Sequence, residues 1–166
     1  MSRRLRGRFL STSQPVRTFT TGCYHRLMSS PQTSQLLRSA PYFPVADVER
    51  SATHYERVYG FTREYVAGTP PQFAIVSRDG LAIMLRLVPS SEHITPNEKQ
   101  GGTWDAFFWV RDAQALSAEL RANGADIVYG PIIQDAYRME EFAVRDLEGY
   151  VLGFGQALTQ DPQGTQ

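Results

Sequence analysis

Seven side chains form a set that could hold or activate a small molecule: Tyr42, Met84, Arg86, Asp105, Phe107, Trp109 and Glu141. Tyr42, Phe107 and Trp109 offer faces for stacking on a planar ligand. Asp105 and Glu141 can pair with a cation or with hydrogen-bond donors, and Arg86 can clamp a carboxylate or neutralise one of these acids. Glu141 is also the residue to consider as a general base, which requires reach to a substrate proton and a suitable pKa. Simple binding would need no catalytic residue. The three histidines, His25, His54 and His93, are scattered along the chain, and the single cysteine, Cys23, excludes an internal disulfide and any multi-cysteine metal site.

These side chains must be positioned by regular elements, and an internal repeat shows which. Phe73-Ala74-Ile75-Val76-Ser77-Arg78-Asp79-Gly80 recurs without a gap as Phe142-Ala143-Val144-Arg145-Asp146-Leu147-Glu148-Gly149. Each copy is expected to be a hairpin, with Asp79-Gly80 and Glu148-Gly149 supplying the positive φ of a tight turn. Upstream, Val45-Ala46-Asp47 and Tyr59-Gly60 are echoed by Val110-Arg111-Asp112 and Asn123-Gly124, each pair enclosing a helical run that an Asp caps and a Gly stops. The expectation is an α+β fold of two tandem modules, each strand, helix, hairpin and closing strand.

The boundaries follow from composition. Residues 40–158 make one domain, with module one at 40–88, a Pro/Gly-rich linker at 89–103 and module two at 104–158. In module two a short strand at 125–129 should lead through a loop to about Tyr137. A polar tail at 159–166 has the composition of disorder. Residues 1–39 form a basic leader rich in Arg, Ser and Thr with no acid, which fits an organellar presequence. Met28 as the true start and a basic disordered tail are the alternatives. The leader implies a mitochondrial location in a eukaryote if it is a presequence, and a cytoplasmic one otherwise.

The formal charge of the whole chain is zero, yet residues 1–46 hold seven arginines and no acid, which leaves residues 47–166 with 10 basic and 17 acidic groups, a balance of about −7. An acidic body argues against nucleic acid and suits a cationic small ligand. No run of residues is long and apolar enough for a membrane span.

Alternation along the strands divides each sheet into two faces. Phe43, Val45, Phe73, Ile75, Ile83, Leu85, Leu87, Phe108, Val110, Phe142, Val144, Leu152 and Phe154 are expected to pack under the helices. The opposite face carries Tyr42, Gln72, Met84, Arg86, Asp105, Phe107, Trp109, Glu141 and Arg145. So much aromatic area beside a few charges implies a ligand pocket or a covering partner rather than a bare solvated surface.

The sequence resembles the vicinal-oxygen-chelate superfamily, the glyoxalase I, bleomycin-resistance and extradiol dioxygenase group. The resemblance rests on Phe43-Pro44-Val45-Ala46-Asp47 with Tyr59-Gly60-Phe61, on Phe108-Trp109-Val110-Arg111-Asp112 with Gly124-Ala125, and on the run from Glu141 to Tyr150. It implies two βαβββ modules forming a cup-shaped mixed sheet with helices on its outer face. It also implies four metal-ligand positions, which the repeat maps to Ala40, Met84, Asp105 and Gly153. Of these, Asp105 alone can ligate a hard ion, whereas a site normally needs three or four donors. The expectation is therefore no metal and no cofactor, and a homodimeric binding protein of the bleomycin-resistance kind that sequesters a planar or cationic ligand. The alternative is a metal-dependent glyoxalase I-like isomerase or a dioxygenase. Arg138, where the family often has Gly, and Leu147, where it has Pro, depart from the common pattern.

Overall fold

The computed structural model describes residues 35–158. The leader up to residue 34 and the tail from residue 159 lie outside the described residues, so a presequence and a disordered tail remain expectations. The elements run β1 (Tyr42–Val45), α1 (Val48–Tyr59), β2 (Thr62–Ala67), β3 (Phe73–Arg78), β4 (Leu81–Leu87), two single 3₁₀ turns in the linker, β5 (Ala106–Trp109), α2 (Ala113–Ala122), β6 (Asp126–Gln134), β7 (Met139–Arg145) and β8 (Val151–Ala157). Each module builds its own four-stranded mixed sheet, in the orders β1-β4-β3-β2 and β5-β8-β7-β6. In both, the first strand pairs in parallel with the last and the remaining pairs are antiparallel. The tandem βαβββ architecture expected from the repeat is present.

The helices start by the same device. Asp47 and Asp112 sit in extended backbone and accept from the N–H of Arg50 and Ala115, at 3.0 and 2.8 Å. Such a cap satisfies one of the orphan donors of the first turn and contributes about 1 kcal/mol. Helix α1 ends at Gly60, whose φ of +70° closes the last turn in the left-handed conformation open to glycine. Val48, Ala52, Tyr55 and Tyr59 recur at helical spacing and bury the inner face of α1.

One continuous core joins both modules: Phe43, Val45, Tyr55, Tyr59, Ile83 and Leu85 pack in the same cluster as Phe108, Leu120, Phe142, Val144, Leu152 and Phe154. Polar contacts reinforce the seam. The Tyr55 hydroxyl donates to Asp146 Oδ2 at 2.9 Å, Tyr59 to the Arg145 carbonyl at 2.8 Å and Tyr150 to the Pro44 carbonyl at 2.9 Å. The Tyr150 ring stacks on Phe43 with centroids 4.3 Å apart. Arg78, at the end of β3, forks onto both oxygens of Glu119 in α2.

Three expectations need correction. Phe73 and Ile75 do not lie under the helices: they pair with Arg86 and Met84 on the opposite face, and Ala74 and Val76 take the buried places. The two turns also differ. Asp79 and Gly80 both have positive φ, as a two-residue hairpin turn requires, but in the second hairpin Gly149 does and Glu148 does not. There Asp146 organises the loop, its Oδ1 accepting from the N–H groups of Glu148 and Tyr150, both at 2.9 Å. Finally, the strand expected to end near Tyr129 continues as β6 to Gln134, with register shifts on either side of Tyr129. Those irregularities hide its alternation.

Candidate functional site

The second sheet carries the most developed chemistry. Gly153 and Gly155 of β8 lie beside Phe107 and Trp109 of β5 and opposite Ala143 and Glu141 of β7. Their missing side chains leave a floor on which rings rest. A Cβ on Gly153 would sit 2.7 Å from Phe107 Cδ2 and 2.8 Å from Trp104 Cδ1, and one on Gly155 would sit 2.6 Å from Phe107 Cζ. Above this floor the three rings form a cluster: Trp104 and Phe107 have centroids 4.7 Å apart, and Phe107 meets Trp109 edge-on at 5.2 Å. Trp109 remains 72% exposed. It also lines a 720 Å³ cavity between the β3–β4 turn and α2.

Glu141 is the acid of this face, and it is 1% exposed. Its Oε1 accepts from the Tyr129 hydroxyl at 3.0 Å and Gln134 Nε2 at 3.2 Å, and its Oε2 accepts from the Tyr137 hydroxyl at 3.0 Å. Trp104 Nε1 donates to the Tyr129 hydroxyl at 2.9 Å, so the aromatic cluster and the carboxylate belong to one network. Burial, then the neighbouring Glu141, raises the pKa of both tyrosine hydroxyls, which keeps them protonated as donors. Every donor to Glu141 is neutral, and among the described residues no Arg or Lys forms an ion pair with it. The Glu141 carboxyl group is thus buried, held by neutral hydrogen-bond partners and without an ion pair.

The sequence-derived set divides between the sheets. Tyr42, Met84 and Arg86 share one face of the first sheet, where Met84 lies between Tyr42 and Ile75, and Arg86 between Pro44 and Phe73. Tyr65 adds a third ring beside Phe73, at 6.3 Å. Phe107, Trp109 and Glu141 belong to the second sheet. Asp105 is committed elsewhere. Its Oδ1 accepts from Asn97 N–H and its Oδ2 from Val151 N–H, each at 2.8 Å, so the carboxylate ties the linker to the start of β8. With Tyr42, His93 and Tyr150 it lines a hollow of 330 Å³. Gln72 directly precedes β3, its carbonyl accepting from Leu87 N–H at 2.9 Å, and Arg145 reaches Glu98 in the linker. Trp104, Tyr129, Gln134 and Tyr137 join the site without belonging to the sequence-derived set, and of these only Trp104 is visible in the sequence, as an aromatic beside Asp105.

The four family positions do not fit a divalent ion. Ala40, Met84 and Gly153 offer no hard donor, both Asp105 oxygens already accept backbone N–H groups, and rings fill the space a side chain at 153 would need. Among the described residues no three His, Cys, Asp or Glu converge as metal donors.

Two βαβββ modules around one core, with an aromatic and acidic sheet face, define a class of fold in their own right. The model of the Glyoxalase/Bleomycin resistance protein/Dioxygenase superfamily matches residues 37–154, and the chain belongs to that superfamily. Among solved structures, TioX from Micromonospora sp. ML1 is 26% identical, with a TM-score of 0.56 over 73% of this chain and 98% of that one. A bleomycin-binding protein complexed with bleomycin is 19% identical, with a TM-score of 0.56 over 72% and 97%. TnmS3, an antibiotic binding protein from Streptomyces sp. CB03234, is 20% identical, with a TM-score of 0.51 over 75% and 99%. No curated protein shows significant similarity.

Proposed function

We propose that this chain is a small-molecule-binding protein that sequesters a planar, cationic ligand on the face of the second sheet without a metal. The observation that carries the reading is the pairing of the Trp104/Phe107/Trp109 cluster with the buried carboxyl group of Glu141, which forms no ion pair among the described residues. Rings stack on a flat ligand, and a cation near their faces gains a further contribution of about 0.5–2 kcal/mol. Glu141 supplies the opposite charge in a setting that water reaches poorly. The antibiotic ligands in the names of two structural neighbours are consistent with such a guest.

The ring-bearing faces of both sheets, with Tyr42 54% and Trp109 72% exposed, support a homodimer in which a second copy covers apolar area that water otherwise meets. Neither nucleic acid nor a membrane is part of the proposal.

The chain's two tryptophans, Trp104 and Trp109, both belong to this ring cluster, so intrinsic fluorescence reports on it directly. Titration of purified, chelator-treated protein with bleomycin and with a small planar aromatic cation should give saturable quenching, lost in Trp109→Ala. Absence of quenching by both, or stoichiometric Ni, Zn or Fe required for binding, overturns the reading.

A further inference from the structure

A second pocket, of 360 Å³, lies outside the sheet faces and is lined by Arg50, Thr53, His54, Arg57 and Val58 of α1 with Asn123 from the end of α2. Its α1 residues follow the i, i+3, i+4, i+7 stripe of one helix face. No acid lines it. The acids nearest in sequence are engaged beside the pocket: Arg63 holds both Glu49 oxygens at 2.7 Å and Glu56 at 2.9 Å, and Thr53, which lines the pocket, accepts from Arg63 and donates to Glu49 Oε1 at 3.5 Å. Arg50 and Arg57 form no ion pair among the described residues, unlike Arg38, Arg63, Arg78 and Arg145.

Arg57 in the last turn of α1 complements the helix dipole, but Arg50 stands in the first turn, where a positive charge is unfavourable. His54 lies between them, edge-on to Tyr59 at 4.9 Å, and its buried Nε2 has no hydrogen-bond partner. Burial, then the charge of Arg50, lowers the His54 pKa, so the imidazole stands uncharged at neutral pH beside two arginines that no acid pairs. An anion seated here would pair with both arginines and favour protonation of His54.

We propose that Arg50, His54 and Arg57 form a binding site for a phosphate-type oxyanion, separate from the ligand site on the sheet. Arginine forks match phosphate oxygens in bidentate geometry. Seven residues along a helix place the two guanidinium stems about 10 Å apart, a span that a diphosphate bridges and a single phosphate bridges when both side chains fold inward. Asn123, whose Nδ2 bonds the Val58 carbonyl at 3.3 Å, closes the α2 side.

The test uses the full chain in a phosphate-free buffer at constant ionic strength. Inorganic phosphate, pyrophosphate and AMP are titrated separately while the imidazole signals of His54 and His93 are followed by NMR. Saturable shifts of His54 but not of His93, with the His54 pKa raised by about one unit, are expected. Tighter binding of AMP than of phosphate would identify a phosphate ester as the natural ligand, and equal binding would identify the free anion. Affinity should fall at least tenfold in Arg50→Gln/Arg57→Gln, and measurably in each single variant, while Trp quenching by the sheet-face ligand is unchanged. Shifts that are linear in concentration, or the same in the double variant, overturn the proposal without touching the sheet-face reading.

Discussion

Tyr55 and Asp146 lie 91 residues apart and share a hydrogen bond of 2.9 Å inside the protein, from a hydroxyl on the first module's helix to a carboxylate in the second module's loop. Both are buried, and Asp146 Oδ1 is already engaged by two backbone N–H groups. In Tyr55→Phe the ring contacts persist, while Oδ2 loses this partner in a setting closed to water. Leaving a buried acceptor unmatched costs about 1–3 kcal/mol. Urea unfolding of the variant at neutral pH should show a loss of that size with an unchanged m-value, because the packed surface is the same.

The same carboxylate makes stability depend on pH. Burial raises the Asp146 pKa from 3.8 to about 6, against the hydrogen bonds from Tyr55 and the loop N–H groups that favour its charged form. Between those values the native state holds a proton that the unfolded chain releases. Its contribution is therefore largest at low pH and is lost as pH rises through about 6, by about 3 kcal/mol in all from a shift of that size. Asp146→Asn removes this component. Unfolding midpoints of the two chains, compared from pH 4.5 to 7.5, should converge or cross in favour of the variant as pH rises; parallel profiles would contradict the raised pKa.

The reversed faces of β3 have a geometric origin. Asp caps, the Gly stop of α1 and the order of elements are local features, and each appears where its residues stand. The gapless repeat, however, equates Phe73 with Phe142. In the structure Met84 and Gly153 occupy matching places beside Tyr42 and Phe107, yet their β3 and β7 partners are Ile75 and Ala143, so Phe73 corresponds to Glu141. The second turn is longer by one residue, accommodated by the Asp146-centred loop. A slip of one exchanges the faces of a strand, which is why the repeat taken without a gap puts Phe73 and Ile75 under the helices. The Glu141 network was illegible for a related reason: Tyr129 sits in an irregular strand, and Tyr137 lies in the turn that follows it, where no alternation can be read.

Gly153 should be intolerant of any side chain. Its Cβ would approach Phe107 and the Trp104 indole at 2.7–2.9 Å, and both rings belong to a packed cluster rather than to free side-chain ends. Overpacking of this kind typically costs about 1–3 kcal/mol. Gly153→Ala is expected to lose stability in that range, to alter the near-UV circular dichroism of the tryptophans, and to weaken the sheet-face ligand. An unaltered aromatic spectrum would show that the rings do not rest on this glycine.

Glu141→Gln separates charge from shape. The amide oxygen can take the place of Oε1 and accept from Tyr129 and Gln134, while the amide nitrogen faces Tyr137, whose hydroxyl can turn and accept instead. The network keeps its geometry and loses its negative charge. A hydrogen bond to a charged group contributes about 1.5–3 kcal/mol, so affinity for a planar cation should drop about ten- to a hundredfold, whereas a neutral ligand of the same outline should bind within about threefold of the parent. A carboxylate acting as a general base would give a different pattern, with turnover lost and substrate affinity nearly kept. Fluorescence titration of both ligands against both chains distinguishes the two, and equal losses for cation and neutral ligand would mean that the substitution had disturbed the ring cluster rather than the charge.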